Sequence, residues 1–137
     1  MIFTTEQIKD IYNLLSLATS NTLDSEDKMK VVKIRAILKP IATPYNDFEE
    51  DMRKELKPAN FDEDSVKAPL FVGVEKVEWH LKVHKYSKEL SEALKPALDK
   101  THELEIETIS QEVYYKLEKE NNWRMGAKDY FDPIIAQ

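Results

Sequence analysis

Two histidines, His80 and His84, stand four residues apart in the stretch WHLKVH. On a helix they share a face, with the spacing of a two-histidine zinc pair. A metalloprotease helix would place glutamate directly after the first histidine, but that place holds Leu81. His102 is the only other histidine, and Glu75 and Glu78 could add oxygen ligands. The plainer reading is two solvated imidazoles among Lys82, Lys85 and Lys88. We therefore expect no bound metal and no cofactor, with His80 and His84 as the only weak candidates.

Two carboxylate clusters follow the same logic. DFEEDM (47–52) and FDED (61–64) could do acid–base work only if an apolar pocket split their pKa values. They lie on a polar helix flank and in a loop, so the plain reading is a solvated surface. The alternating oxygen ligands and central glycine of a calcium loop are absent. There is no glycine cluster to cradle a phosphate, no thiol and no nucleophile elbow. The expectation is a protein that is not an enzyme. Lys28, Lys30, Lys33, Arg35 and Lys39 form a basic run, of which Lys28, Arg35 and Lys39 lie roughly on one side of a helix. An anionic partner could use that side. Alternatively, the basic run could pair head-to-tail between subunits with the acidic residues that follow it.

The elements that would carry these residues are mostly helical. Thr4 and Gln7 have capping-box spacing, and Phe3 and Ile8 sit where a hydrophobic staple would close. Ile8, Ile11, Tyr12, Leu15 and Ala18 then form one apolar face of a helix over 5–19. A second helix starts near Asp24 or Ser25. Its apolar residues Val31, Ile34, Leu38, Ile41, Tyr45, Phe48 and Met52 step by three and four without a break. Pro40 and Pro44 interrupt that stripe, and each proline inside a helix costs about 3 kcal/mol. We expect two segments, 25–39 and 44–57, joined by a surface kink that keeps the stripe buried and leaves Lys39 and Asn46 exposed.

Residues 57–69 read as a loop and LFVGV (70–74) as a short strand. Residues 75–86 fit helix or strand: Val77, Trp79, Leu81 and Val83 alternate, while Trp79, Val83, Tyr86, Leu90 and Ala93 follow helical steps. Residues 87–94 are helical, and Pro96 kinks or ends that helix. LEIETIS (104–110) alternates as a strand, with Leu104, Ile106 and Thr108 on one side. A last helix starts at SQEV and stops at Asn121 and Asn122. The tail carries Trp123, Tyr130, Phe131, Ile134 and Ile135, so it docks on its own domain or on a partner.

Composition sets outer bounds. The 137 residues include no cysteine and only two glycines, and the net charge is −6. Scarce glycine favours long elements over many tight turns. The fold class expected is mainly α with a minor β element: a long proline-kinked central helix packed by N- and C-terminal helices. We expect a single domain over 1–137, with 121–137 as its docked or partner-bound tail. An acidic chain is not a default binder of nucleic acid. No apolar run approaches a membrane span, and the start shows no leader. The expected location is cytoplasmic.

The layout resembles a group of small tailed-phage and prophage proteins of unknown function. The likeness lies in a short helix ending IYNLL, a long helix beginning KMKVVKIRAIL and ending DFEEDMRKEL, and then YSKELSEALKPALDKTHELEIETISQEV. It covers most of residues 6–118, through generic helical matches. Pro40, Pro44 and the stretch LFVGVEKVEWHL depart from it. The resemblance implies a virion-assembly or accessory role in a phage or prophage, a virion-associated location included, and supplies no catalytic residues.

The functional expectation is therefore a non-enzymatic assembly or interaction protein, oligomeric through helix packing or bound to a phage or host protein. Its interface candidates are Val31, Ile34, Leu38, Ile41, Tyr45, Phe48 and Met52, with Trp123, Tyr130 and Phe131 in the tail. The bland competitor is that the stripe is the monomer's own core, packed by helices 5–19 and 87–120. A different class is an acidic inhibitor that mimics DNA through Asp47, Glu49, Glu50, Asp51, Glu55, Asp62, Glu63 and Asp64. A metal-dependent enzyme ranks third.

Overall fold

The capping box at Thr4 forms: its Oγ1 accepts the Gln7 N–H at 3.2 Å and its own N–H donates to Gln7 Oε1 at 2.9 Å. These bonds satisfy donors that the first helical turn would otherwise leave open. The computed structural model describes residues 1–58 and 74–136, and for residues 74–76 the backbone alone. The loop expected over 57–69 lies almost wholly outside that set, as do the LFVGV strand up to Gly73, the cluster Asp62, Glu63 and Asp64, and the Glu75 side chain.

The described elements are β1 (Ile2–Thr4), α1 (Thr5–Ser16), α2 (Ser25–Leu56), α3 (Val74–Leu98), β2 (Thr101–Glu103), α4 (Gln111–Asn121), α5 (Ala127–Phe131) and a short 3-10 turn, Asp132–Ile134. The fold is mainly α with a minor β element, built on one long central helix. The chain packs as two compact units: Met1–Asn46 with Leu98–Gln137, and Asp47–Ala97. In the first unit, Phe3, Ile8, Ile11, Leu15, Val31, Ile34, Leu38, Ala42, Ile106, Ile109, Val113, Tyr114, Leu117, Phe131, Ile134 and Ile135 share one core with Leu23. In the second, Trp79, Tyr86, Leu90 and Leu94 are buried along one face of α3. That face settles residues 75–86 as helix, because Trp79, Tyr86 and Leu90 recur at helical and not alternate spacing. Pro96 lies within the last turn and does not end the helix early.

The two-segment reading of α2 is corrected. Asp24 caps it, accepting the Asp27 N–H at 2.8 Å, and the helix then runs unbroken through Pro40 and Pro44 to Leu56. Ala36, Pro40, Thr43 and Pro44 are all exposed, so the carbonyls that lose an N–H partner lie on the wet side. On the opposite side Val31, Ile34 and Leu38 are at most 5% exposed. Burial of three such side chains is worth about 1.5–3 kcal/mol each, the same order as the two proline penalties. The buried positions also differ from the expected heptad. After Leu38 they are Ala42 and Tyr45, with Ile41 only half-buried, Met52 half-buried and Phe48 37% exposed. A strict heptad drifts by about 20° per seven residues on a straight helix, so its later members rotate off the buried line. Lys39 is exposed as expected, whereas Asn46 is half-buried and bonded to Asn13.

The expected strand over LEIETIS is also corrected. The ladder forms just before it, where β2 pairs antiparallel with β1 in the register Ile2–Glu103, Phe3–His102 and Thr4–Thr101. β1 is three residues long, and the pairing ends at Ile2 opposite Glu103. Beyond Leu104, whose N–H donates to Met1 O, only Ile109 makes a sheet-like bridge, parallel to Ile135. Leu104, Ile106, Thr108 and Ile109 still point inward, so the alternation recorded burial and not a ladder.

Candidate functional site

α1 and α2 enclose a groove of about 320 Å³ in the first unit. Tyr12 and Ser16 line it from α1, and Val32, Arg35, Ala36 and Lys39 from α2. The helices meet there because each buries the opposite side of its own surface, Ile8, Ile11 and Leu15 on α1 and Val31, Ile34 and Leu38 on α2. At one end the side-chain amides of Asn13 and Asn46 exchange hydrogen bonds of 2.8 and 3.4 Å.

A clasp fixes the connection between the two helices. The Glu120 carboxylate accepts the Asn21 N–H at 3.0 Å, the Thr22 N–H at 2.8 Å and the Thr19 hydroxyl. Asn121 accepts the Thr19 N–H at 2.8 Å and donates to Thr19 O at 2.9 Å. The Thr19 hydroxyl, assisted by the two backbone donors, pulls the Glu120 carboxyl down to about 2. The turn that follows α1 is thus held by a half-exposed carboxylate from the end of α4.

The groove is cationic and partly apolar. Arg35 and Lys39 lie one helical turn apart, and among the described residues neither has a carboxylate partner. Lys28 extends the same side, and Met29 and Val32 are 54% and 46% exposed beside it. The Ser16 hydroxyl donates to Asn13 O at 3.0 Å. The groove's chemistry is that of a binding surface for an anionic, partly apolar group. A second groove, about 300 Å³, lies in the other unit between Leu56, Pro58, Lys82, Lys85, Tyr86 and Glu89. There Glu89 offsets Lys85 at 3.8 Å.

The structure places the remaining candidates as follows. Val31, Ile34, Leu38 and Phe131 are committed to the core, where Ile41 and Trp123 pack against them. Tyr45 is buried, and Phe48 and Tyr130 are exposed. In the tail Trp123 stacks on Phe131 at 5.0 Å, and Tyr114 lies 5.4 Å from Phe131. His80 and His84 are exposed on α3, and among the described residues no three His, Asp or Glu side chains gather as a metal site. His102 is engaged elsewhere, 2.8 Å from Thr5 Oγ1, with burial and then Lys100 holding it below its ordinary value. In the acidic stretch of α2, Glu50 pairs with Lys54 at 3.1 Å and Glu49 with Arg53 at 3.7 Å.

The α1 side of the groove had no signal in the sequence. The α2 side did: Lys28, Arg35 and Lys39 share a side with Met29 and Val32, large apolar residues outside the buried stripe. Among the described residues no helix is long and apolar enough to cross a membrane. Comparison of the chain with protein-family models, curated proteins and solved structures gives no match.

Proposed function

We propose that this chain is a non-enzymatic assembly protein that associates through exposed helix surface. The observation that carries this reading is the α1–α2 groove, in which Arg35 and Lys39 lack carboxylate partners among the described residues and flank exposed Val32. Unpaired charge around an exposed apolar patch is the make-up of an interface rim and core. The likeness in layout to small tailed-phage and prophage proteins supports a virion-assembly or accessory role, in the host cytoplasm or in the particle. Val31, Ile34 and Leu38 of the heptad stripe lie in the chain's own core, so the contact falls to the exposed flank of α2. Light scattering over a concentration series tests the reading. Mass above 16.0 kDa that rises through the micromolar range is expected, and a monomer at every concentration would reject it.

A further inference from the structure

Residues 47–55 of α2 present the chemical complement of the groove. Asp47, Asp51 and Glu55 recur every four residues, and all three are exposed. Among the described residues none of the three has a cationic partner. Phe48, 37% exposed, stands beside Asp47 and Asp51 as the large apolar side chain of that face. The groove repeats the same interval with opposite sign: Arg35 and Lys39 are four residues apart, about 6 Å along the helix. Between them and α1, Tyr12, Val32 and Ala36 offer apolar surface for a ring.

We propose that the groove binds the 47–55 face of a second copy of this chain. Phe48 enters the trough against Val32 and Ala36, and Asp47 and Asp51 meet Lys39 and Arg35. A buried apolar anchor in a pocket, with surrounding contacts that exclude water, is the arrangement of an interface hot spot. Nucleic acid fits less well, because the groove offers few cations, exposes Met29 and Val32, and belongs to a chain of net charge −6. Every molecule carries both halves, so two copies satisfy the contact reciprocally when their α2 helices run antiparallel, Asp47 facing Lys39 and Asp51 facing Arg35 in both directions. This inference rests on the assembly reading and specifies its surfaces.

Charge exchange tests it. Arg35→Glu with Lys39→Glu makes the groove acidic, and Asp47→Lys with Asp51→Lys makes the helix face basic. Each double variant alone juxtaposes like charges and should lose self-association by about a hundredfold. Mixed together the two variants should associate again, since each then meets an opposite surface. Phe48→Ala should weaken association without changing the charge pattern. Lys88→Glu with Lys119→Glu, exposed elsewhere, controls for net charge and should associate like the parent. Circular dichroism checks that every variant is folded. If the parent assembles and the reversals leave it intact, or the mixture stays dissociated, the groove contact is wrong while the assembly reading stands. A parent that is monomeric throughout overturns both.

Discussion

Replacing Leu38 and replacing Pro40 should have opposite outcomes, although the two residues are neighbours on one helix. Leu38 is fully buried in the first unit's core. Truncation to alanine removes its transfer free energy and leaves a cavity, for a loss of about 2–5 kcal/mol. Full burial at the centre of α2 puts the expected value in the upper half of that range. Pro40 is exposed and lacks an N–H for Ala36 O. Alanine restores that donor, relieving up to about 3 kcal/mol of helix penalty, and gives back about 0.4–1 kcal/mol through the freer unfolded chain. The net expectation is no change or a gain of up to about 2 kcal/mol. The chain has two tryptophans, and Trp123 lies in the first unit. In a Trp79→Phe background, Trp123 fluorescence in urea therefore reports that unit's unfolding alone. A harmless Leu38→Ala together with an unfolded Pro40→Ala would refute this account and make the prolines the organising feature.

Three further outcomes are expected. The Tyr114 hydroxyl is buried, and among the described residues no hydrogen bond of acceptable geometry reaches it even though Glu118 is near; burial first, then Glu118, pushes its ionisation up. Tyr114→Phe removes an unsatisfied group and should be neutral or stabilising by about 1 kcal/mol in a thermal melt, with a clear loss counting against the assignment. The folded Glu120 carboxyl lies at about 2 against an ordinary 4.5, so its contribution is complete above pH 4.5 and lost as pH falls toward 2. Melting temperature against pH should decline across that window in the parent and be flatter in Glu120→Gln. Finally, His80→Ala with His84→Ala should leave both the melt and the zinc content found by elemental analysis unchanged, because the pair is exposed and has no third ligand among the described residues.

Local signals were legible because they act through backbone atoms close in sequence. Thr4 with Gln7, Asp24, and Ser110, whose hydroxyl accepts the Val113 N–H, all cap helices where their types suggest, and Asn122 closes α4 in the left-handed region at φ 52°. The inward set Leu104, Ile106 and Thr108 was equally readable. What could not be read depended on distant partners. Whether Leu104–Ser110 forms a ladder depends on a partner strand that lies elsewhere in the chain. Whether α2 survives Pro40 depends on Leu38 and Ala42 being buried by other elements. The groove was half visible, since Arg35 and Lys39 belong to one helix, but Tyr12 and Ser16 join them only through packing.

The first unit is interrupted: its core joins Phe3, Leu38 and Ile135, while residues 47–97 lie between its two stretches. Synthesis on the ribosome runs in one direction, so Phe3, Ile8 and Ile34 emerge long before Ile109, Tyr114 and Ile134, which must cover them. Until then the amphipathic faces of α1 and the first part of α2 remain open to other apolar surfaces, including those of neighbouring nascent chains. Closing the unit across a 51-residue excursion adds loop-closure entropy that grows only slowly with length, so the penalty falls mainly on rate and not on final stability. A ribosome stalled before Ile109 should therefore hold a protease-sensitive, chaperone-binding chain, whereas one stalled on a long linker appended after Gln137, which carries Ile135 clear of the ribosome, should hold a resistant one.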